Sequence, residues 1–304
     1  MSGTPISNVA IAGAAGSLGS VLLDRLVSSG RFKVRVLRRN GSTSTLPPGV
    51  DVVDVDFDSP RSLEAALAGQ HAVVSALGFP GLGLQRGLVD AAAAAGVRRF
   101  LPSEFGSDLS TPRARQLPVF AQKVEVADHL AAVAARSPSL TYTLVSNGPF
   151  LDWGLRHNFL LNHAEYKPTI FDGGDVVFSS TTLGSIADAV VAILSKPDET
   201  ANRTVRIEDA RVSQNKLLAL AREALPDKPW QPQPASLDAA TQRSDERLAR
   251  GLLDLETFAP YIYRSFLDPS VGGLFRETDN ELLGIKGKTD DEVAAIVRDA
   301  LADK

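Results

Sequence analysis

Apolar and polar positions follow two kinds of pattern in the first half of the chain, one typical of strands and one typical of helices. Short apolar runs predict six β-strands, at residues 9–12, 34–37, 50–56, 72–77, 99–101 and 141–145. Apolar residues at helical spacing predict helices between them, at 17–28, after Pro60, at 84–95, and around Lys123 as far as about residue 135. Strands that alternate with helices indicate an α/β protein with a parallel, doubly wound sheet.

The alternation of predicted strands and helices ends near residue 150, where aromatic residues stand among polar and turn residues. Weaker patterns predict a strand at 176–179 and helices at 186–194, 217–224 and 292–302, and the prolines between 226 and 234 predict a loop. We expect a Rossmann-type domain at residues 1–150. Residues 151–304 are expected to form mainly a smaller C-terminal substrate-binding lobe, with some segments returning to the Rossmann domain.

Composition narrows the classes of function. The net charge is −4 and no lysine- or arginine-rich run is present, so we expect no nucleic-acid partner. No apolar stretch approaches the ~20 residues of a membrane helix, and residues 1–8 lack a secretory pattern, which predicts no membrane partner and a cytoplasmic location. The lack of cysteine excludes disulfides and thiolate chemistry, and four histidines without metal-site spacing predict no metal. We expect a monomer or a homodimer.

A glycine-rich loop lies between the first predicted strand and its helix. In such a unit the first glycine allows a tight turn, the second lets the backbone approach a pyrophosphate, and the third lets helix and strand pack closely. The helix N-terminus adds free N–H groups and a partial positive charge. These features predict a dinucleotide site rather than a plain turn. Its expected residues in this loop are Gly13, Ala15, Gly16, Ser17, Leu18 and Gly19.

Two arginines directly follow the second predicted strand, where an NAD-binding protein often has an acidic residue. An arginine at this place accommodates the 2′-phosphate of NADP, and a guanidinium fork pairs well with phosphate oxygens. We predict that Arg38 and Arg39 hold this phosphate, with a solvated basic loop as the alternative. Asp56 and Phe57, after the third strand, are expected near the adenine, although Asp56 could equally cap a loop.

The stretch RRFLPSEFGSD, at residues 98–108, is the most distinctive of the chain. Together with the glycine loop, AVVSALG at 72–78, Lys123 and YTLVSNGPF at 142–150, it resembles the isoflavone reductase and phenylcoumaran benzylic ether reductase group. That group belongs to the NmrA-like, atypical short-chain dehydrogenase/reductase superfamily. The resemblance covers the first half well and is looser beyond residue 150. It implies NADPH-dependent reduction of an aromatic or phenolic compound, with Lys123 as the catalytic lysine and Arg39 on the 2′-phosphate.

One familiar element of short-chain dehydrogenases is absent. These enzymes commonly carry Tyr-x-x-x-Lys, but Val119 stands four residues before Lys123 and the next residue is Phe120. The isoflavone reductase group also lacks this tyrosine, so the difference fits the resemblance. It disfavours a sugar-nucleotide epimerase or dehydratase and leaves the source of the substrate's proton open.

Several residues are candidates for the reaction centre. Burial would lower the pKa of Lys123 and let it act as an acid or base; as an ammonium it could hold the nicotinamide ribose or substrate, or it could be a surface lysine. Ser103 could bind a substrate oxygen or cap a loop. Gly78, Asn147 and Phe150 follow predicted strands, at the edge where open α/β sheets bind ligands. We expect these three, with Lys123, at the cofactor, with a simple turn as the alternative for the residues after the sixth strand.

Aromatic residues provide the candidate substrate site. Planar substrates suit aromatic walls, so we expect Phe105, Phe150, Trp153 and His157 to bind substrate, with an ordinary core as the alternative. His157 could donate the missing proton. The sequence thus predicts an NADPH-dependent reductase of an aromatic or other apolar small molecule, of a kind found in secondary metabolism. A non-catalytic NADP(H)-sensing regulator is the alternative, and Lys123 with the PSEFG loop favours the enzyme.

Overall fold

The computed structural model describes residues 5–302. Within them lie eleven strands: β1 Asn8–Ala12, β2 Lys33–Arg39, β3 Asp51–Val55, β4 Ala72–Ser75, β5 Arg99–Leu101, β6 Thr141–Ser146, β7 Thr169–Phe171, β8 Phe178–Ser180, β9 Arg203–Arg206, β10 Ala210–Val212 and β11 Gln233–Ala235. The helices are α1 Ser17–Ser28, α2 Pro60–Leu67, α3 Gln85–Ala94, α4 Pro112–Arg115, α5 Ala121–Arg136, α6 Leu151–Arg156, α7 Leu183–Ser195, α8 Gln214–Ala224, α9 Leu237–Ala249, α10 Leu255–Leu267, α11 Asn280–Leu283 and α12 Asp290–Ala302.

A seven-stranded sheet has the order β3-β2-β1-β4-β5-β6-β9. The pairs from β3 through to β6 are all parallel. The strand order reverses between β1 and β4, which is the switch point where ligands bind in such sheets, beyond the carboxyl ends of the strands. The predicted Rossmann-type, doubly wound α/β fold is therefore confirmed.

The chain divides into two compact units. The first contains the residues up to Phe105, then Gln122–Val145 and Ile186–Val205; the second contains Gly106–Ala121, Ser146–Ser185 and the residues from Arg206 onward. Residues 106–121 group with the second unit, although they precede the expected boundary at 150. The assignment of 1–150 to NADP and of 151–304 to substrate stays a prediction, because compactness does not identify a ligand.

Each unit has its own apolar core. In the first, Val73, Leu88 and Phe100 are fully buried between the sheet and its helices. In the second, Leu151, Phe178 and Val293 bring α6, β8 and α12 into one cluster. At about 25 cal/mol for each Å² of apolar surface removed from water, these clusters are the main stabilising contribution to both units.

A buried cation fixes the start of β5 in the first unit. Arg99 is 2% exposed and donates hydrogen bonds to the hydroxyls of Thr141, Thr143 and Thr200, at 2.9, 3.0 and 2.9 Å. Burial lowers the pKa of Arg99 to about 10, against the opposing charge of Asp198. Because every contact is to a neutral oxygen, this arginine ties β5 to β6 and to the segment before β9 without forming a site for catalysis.

The second half contains elements that the sequence pattern did not predict. Helices α6, α9, α10 and α11 and strands β7 and β9–β11 were not predicted. Helix α9 is mostly polar and buries little more than Leu237, Ala240 and Ser244, so its apolar period is weak. Helix α10 contains Pro260, a residue that usually ends a helix. Strand β11 lies in the predicted proline loop and pairs with β7 alone, where Pro234 is tolerated at a sheet edge.

Candidate functional site

A groove of about 510 Å³ opens beyond the carboxyl ends of β1, β2 and β4, entirely within the first unit. This size is typical of a small-molecule site. Its walls come from the glycine loop, the end of β2, the loop after β2, and the segment after β4. The lining residues are Gly13, Ala14, Ala15, Gly16, Val36, Leu37, Arg38, Arg39, Asn40, Gly41, Ser42, Thr43, Ser44, Leu46, Phe57, Ala76, Leu77 and Gly78.

Two of the three loop glycines are required by the protein's own packing. Gly13 has φ +82°, and a Cβ there would lie 2.4 Å from the carbonyl oxygen of Ala76. A Cβ on Gly19 would lie 2.0 Å from the carbonyl oxygen of Gly13, where helix α1 crosses the end of β1. Both distances are far inside van der Waals contact, so the turn and the close helix–strand approach need glycine.

The middle glycine is different. A Cβ on Gly16 would meet its nearest protein atom at 3.4 Å, an ordinary contact, so the packing of the described residues does not require glycine there. Gly16 is the N-cap of α1 and offers no side-chain cap, whereas α2, α8, α9 and α10 are capped by serine or aspartate side chains. Uncapped N–H groups beside open space suit an anion. The residues present thus fit a bound pyrophosphate.

The two arginines at the end of β2 have different surroundings. Arg38 forms a two-point ion pair with Asp54 of β3, Nε to Oδ1 at 2.6 Å and Nη2 to Oδ2 at 2.9 Å. The hydrogen bond and charge of Asp54 raise the pKa of Arg38 above its ordinary value, and the same hydrogen bond lowers the pKa of Asp54. Arg39 is exposed, and its side chain has no hydrogen bond or ion pair within residues 5–302.

Seven of the expected cofactor residues line this groove: Gly13, Ala15, Gly16, Arg38, Arg39, Phe57 and Gly78. Seven others do not line it: Ser17, Leu18, Gly19, Asp56, Lys123, Asn147 and Phe150. Leu18 and Gly19 are buried under the loop. Asp56 accepts a hydrogen bond from the Asp58 backbone N–H at 3.0 Å, which is the loop-capping geometry left open as its alternative.

The loop after β2 also lines the groove, although it was not among the residues predicted for the site. Its polar lining residues run from Asn40 to Ser44, and Leu46 adds an apolar contact. The Ser42 hydroxyl lies 3.0 Å from the Ser44 hydroxyl and accepts the Ser44 backbone N–H at 3.3 Å, so the loop is folded back on itself. A glycine- and hydroxyl-rich segment directly after two arginines was the available signal.

Lys123 is the third residue of α5 and is partly buried. Its Nζ donates a hydrogen bond to the backbone carbonyl oxygen of Glu104, in the loop after β5. Burial lowers the pKa of Lys123 from its ordinary value, and the negative charge of Glu104 opposes that shift. A lysine in such surroundings can exchange a proton nearer neutral pH than an exposed one can.

Ser103 joins the loops that follow β4 and β5. Its hydroxyl donates to the carbonyl oxygen of Leu77 at 2.8 Å, and its backbone N–H donates to Oε1 of Gln85 at 2.7 Å. The hydroxyl proton is therefore used within the protein, and the oxygen lone pairs are the part that a substrate could use.

In the second unit, Asn147 is fully buried directly after β6. Its Nδ2 donates to the Gly148 carbonyl oxygen at 2.7 Å, while Oδ1 has no hydrogen-bond partner within residues 5–302. Gly148 has φ +64°, and a Cβ there would lie 2.0 Å from the Ser179 carbonyl oxygen, so this turn needs glycine. An unpaired buried acceptor is costly, which makes Asn147 a candidate ligand contact.

The aromatic candidates fall in both units. Phe105 belongs to the first unit and is 6% exposed. In the second, Trp153 stacks on His157 with ring centroids 4.3 Å apart and meets Phe150 edge-on at 6.4 Å. His157 is exposed, and its Nδ1 lies 2.9 Å from the Trp153 carbonyl oxygen. Phe150, Trp153 and His157 thus form one aromatic surface on and beside α6.

No group of three or more histidine or acidic side chains in the described part of the chain is arranged to hold a metal ion. Within the same residues, no helix has the length and apolar character needed to cross a membrane.

Comparison with known proteins places the chain in a family. The sequence profile of the NmrA-like family matches residues 5–225. Oxidoreductase poxI of Penicillium oxalicum is 31% identical over 297 residues, covering 93% of this chain and 91% of that protein.

Solved structures share the fold. The structure of AtPrR2 with NADP+ and (+)pinoresinol has a TM-score of 0.76 at 21% identity, covering 97% of this chain and all of that one. The complex of leucoanthocyanidin reductase with NADPH from Vitis vinifera has a TM-score of 0.78 at 17% identity, covering 96% of this chain and 99% of that one. The chain belongs to the NmrA-like family, as its glycine loop and PSEFG motif predicted.

Proposed function

We propose that the protein is an NADPH-dependent reductase of an aromatic or other apolar small molecule. The observation that carries the proposal is the groove in which Gly16, the uncapped N-terminus of α1 and the unpaired Arg39 meet. The relative named an oxidoreductase, and the fold neighbours holding NADP+ or NADPH, support the same assignment.

The roles of the chain's own residues follow from their chemistry. The α1 N-terminus and Gly16 hold the pyrophosphate, and Arg39 donates to the 2′-phosphate. NADPH, when bound, supplies a hydride. Lys123 holds an oxygen of the nicotinamide ribose or of the substrate, or passes a proton to it. Glu104 keeps the Lys123 ammonium in place through its carbonyl oxygen.

The substrate class rests on the aromatic surface. Phe150, Trp153 and His157 present ring faces and edges that suit a planar substrate, and the His157 side chain is exposed. One fold neighbour holds (+)pinoresinol, an aromatic ligand. Phe105, Ser103 and Asn147 are further proposed contacts, of which Asn147 offers a buried, unpaired acceptor.

A turnover screen tests the proposal. NADPH oxidation would be followed with phenolic and quinone-like compounds, for the wild type and for Lys123→Met. We expect at least one compound to be reduced by the wild type and not by the variant. Tight NADP(H) binding without turnover of any compound, together with NADP(H)-dependent binding to a protein partner, would instead identify a cofactor-sensing regulator.

A further inference from the structure

We propose that Asp54 is a positioning residue for the cofactor: by fixing Arg38 it forms one rigid unit that holds the adenosine end, while the 2′-phosphate contact stays with Arg39, as in the proposed function. This inference rests on the proposed function, in that the groove is taken to bind NADPH. Asp54 then acts on the cofactor only through Arg38, as a positioning residue. Arg38 and Arg39, although adjacent in the sequence, then have different roles.

The geometry of the ion pair leaves Arg38 little freedom. Arg38 and Asp54 are direct partners in the parallel register of β2 and β3. Nε and Nη2 are both engaged, at 2.6 and 2.9 Å, which fixes the plane of the guanidinium. In-plane hydrogen bonds leave the two flat faces of the group unused. A fixed guanidinium on the groove wall is suited to stack on a planar ring such as adenine.

Charge favours Arg39 over Arg38 as the phosphate ligand. A phosphate that approaches Arg38 shares the guanidinium with the Asp54 carboxylate, and the two anions repel each other. Arg39 has no carboxylate partner within the described residues, so a phosphate there meets an uncompensated cation.

Strand geometry gives a second, independent reason. Successive side chains of a strand point to opposite faces of the sheet, and Arg38 and Arg39 are the last two residues of β2. In the register, Arg38 stands opposite Asp54 and Arg39 opposite Val55, so only Arg38 has a carboxylate partner on β3. Both arginines line the groove, but their side chains start from opposite faces of the strand, which argues against equivalent roles for them at one phosphate.

The same two strands contain a matched control. Arg35 and Asp51 are also register partners, with Nε to Oδ2 at 2.8 Å, and their side chains are exposed to a similar degree. Neither residue lines the groove. Any general effect of breaking an arginine–aspartate pair between β2 and β3 will therefore appear in Asp51→Asn, without an effect on the cofactor.

The experiment measures dissociation constants for NADPH and NADH by fluorescence titration, for the wild type and for Arg38→Ala, Asp54→Asn, Asp51→Asn and Arg39→Ala. Fixing one long side chain in advance is worth about three- to ten-fold in affinity. We expect Arg38→Ala and Asp54→Asn each to weaken the binding of both cofactors by that factor. The ratio of the NADPH and NADH dissociation constants should stay unchanged. A double variant with both Arg38→Ala and Asp54→Asn, measured in the same way, should bind the cofactors no more weakly than Arg38→Ala does, because the two residues act together.

Arg39→Ala should weaken the binding of NADPH but not that of NADH, and Asp51→Asn should change the affinity for neither cofactor. A rise in NADPH preference in Asp54→Asn would overturn the proposal, since it would mean that Asp54 holds Arg38 back from the phosphate. So would a loss in Arg38→Ala confined to NADPH, or an Asp54→Asn variant that binds like Asp51→Asn. If the wild type binds neither cofactor, or both equally, the proposed function fails instead.

Discussion

Lys123 donates a hydrogen bond from Nζ to the backbone carbonyl oxygen of Glu104. The bond connects the first turn of α5 to the loop that follows β5, so the lysine is held at the edge of the sheet where ligands bind. The contact determines where the ammonium lies, while burial and the charge of Glu104 determine how readily it loses its proton.

Lys123→Met tests the catalytic role of this lysine. Methionine keeps the apolar length and removes the charge, so cofactor binding should change little while turnover falls by about 10²–10⁴-fold. Steady-state kinetics with an active substrate and a parallel NADPH titration separate the two effects. Turnover at the wild-type rate in the variant refutes the role.

Glu104→Gln tests the charge that acts on Lys123. Burial lowers the pKa of Lys123 and the Glu104 charge raises it, so removing that charge lowers the lysine pKa further. If the ammonium is the active form, activity is lost as pH rises through this pKa, and the basic limb of the pH–rate profile should move to lower pH. Glu125→Gln, an exposed carboxylate on the same helix, is the control. If the basic limb of the Glu104→Gln profile stays where it is in the wild type, the Lys123 ammonium is not the active form.

Gly16→Ala and Gly19→Ala distinguish an effect on ligand binding from an effect on folding. A Cβ on Gly16 meets only an ordinary contact, so in Gly16→Ala the free energy of unfolding should change by less than about 1 kcal/mol. NADPH binding by the same variant should weaken by roughly ten-fold or more, because the phosphate loses close contact with the backbone. Gly19→Ala forces backbone apart and should cost about 1–3 kcal/mol of stability. Denaturant melts with and without NADPH measure both quantities. Equal destabilisation by the two variants contradicts this division.

His71 predicts a pH dependence of stability. Its Nδ1 accepts the Ser7 backbone N–H at 3.1 Å, and burial with the charge of Arg98 lowers its pKa. A depressed histidine pKa means that the fold prefers the neutral ring. The stabilisation is therefore complete above the unfolded pKa of about 6.5 and is lost as pH falls below it. His71→Asn keeps an acceptor that does not titrate, so urea melts at pH 7.5 and 5.5 should show a smaller loss than in the wild type. The same loss in both proteins would exclude His71 as the cause.

Local patterns predicted the elements that form the cofactor groove. The apolar run of β1, the three glycines and the helical period of α1 are contiguous, and each lies within the reach of a turn or a helix. Their roles could be read from the sequence because the chain itself brings them together. Strand β2 was predicted for the same reason, although it extends two residues further, to Arg39.

Pairings across strands could not be read in this way. The Arg38–Asp54 pair depends on the register of β2 against β3, which no local pattern determines. The hydrogen bond from Ser103 to Leu77 depends on the neighbouring positions of β4 and β5. In the second half, α9 and α10 form because tertiary packing outweighs a polar composition and an internal proline.

The groove is expected to bind NADPH in preference to NADH. Titration calorimetry of the wild type with both cofactors tests it most directly. One charged hydrogen bond to the 2′-phosphate predicts roughly 10- to 100-fold tighter binding of NADPH, and Arg39→Ala should remove most of that difference. Equal affinities for NADPH and NADH in the wild type would contradict the claim.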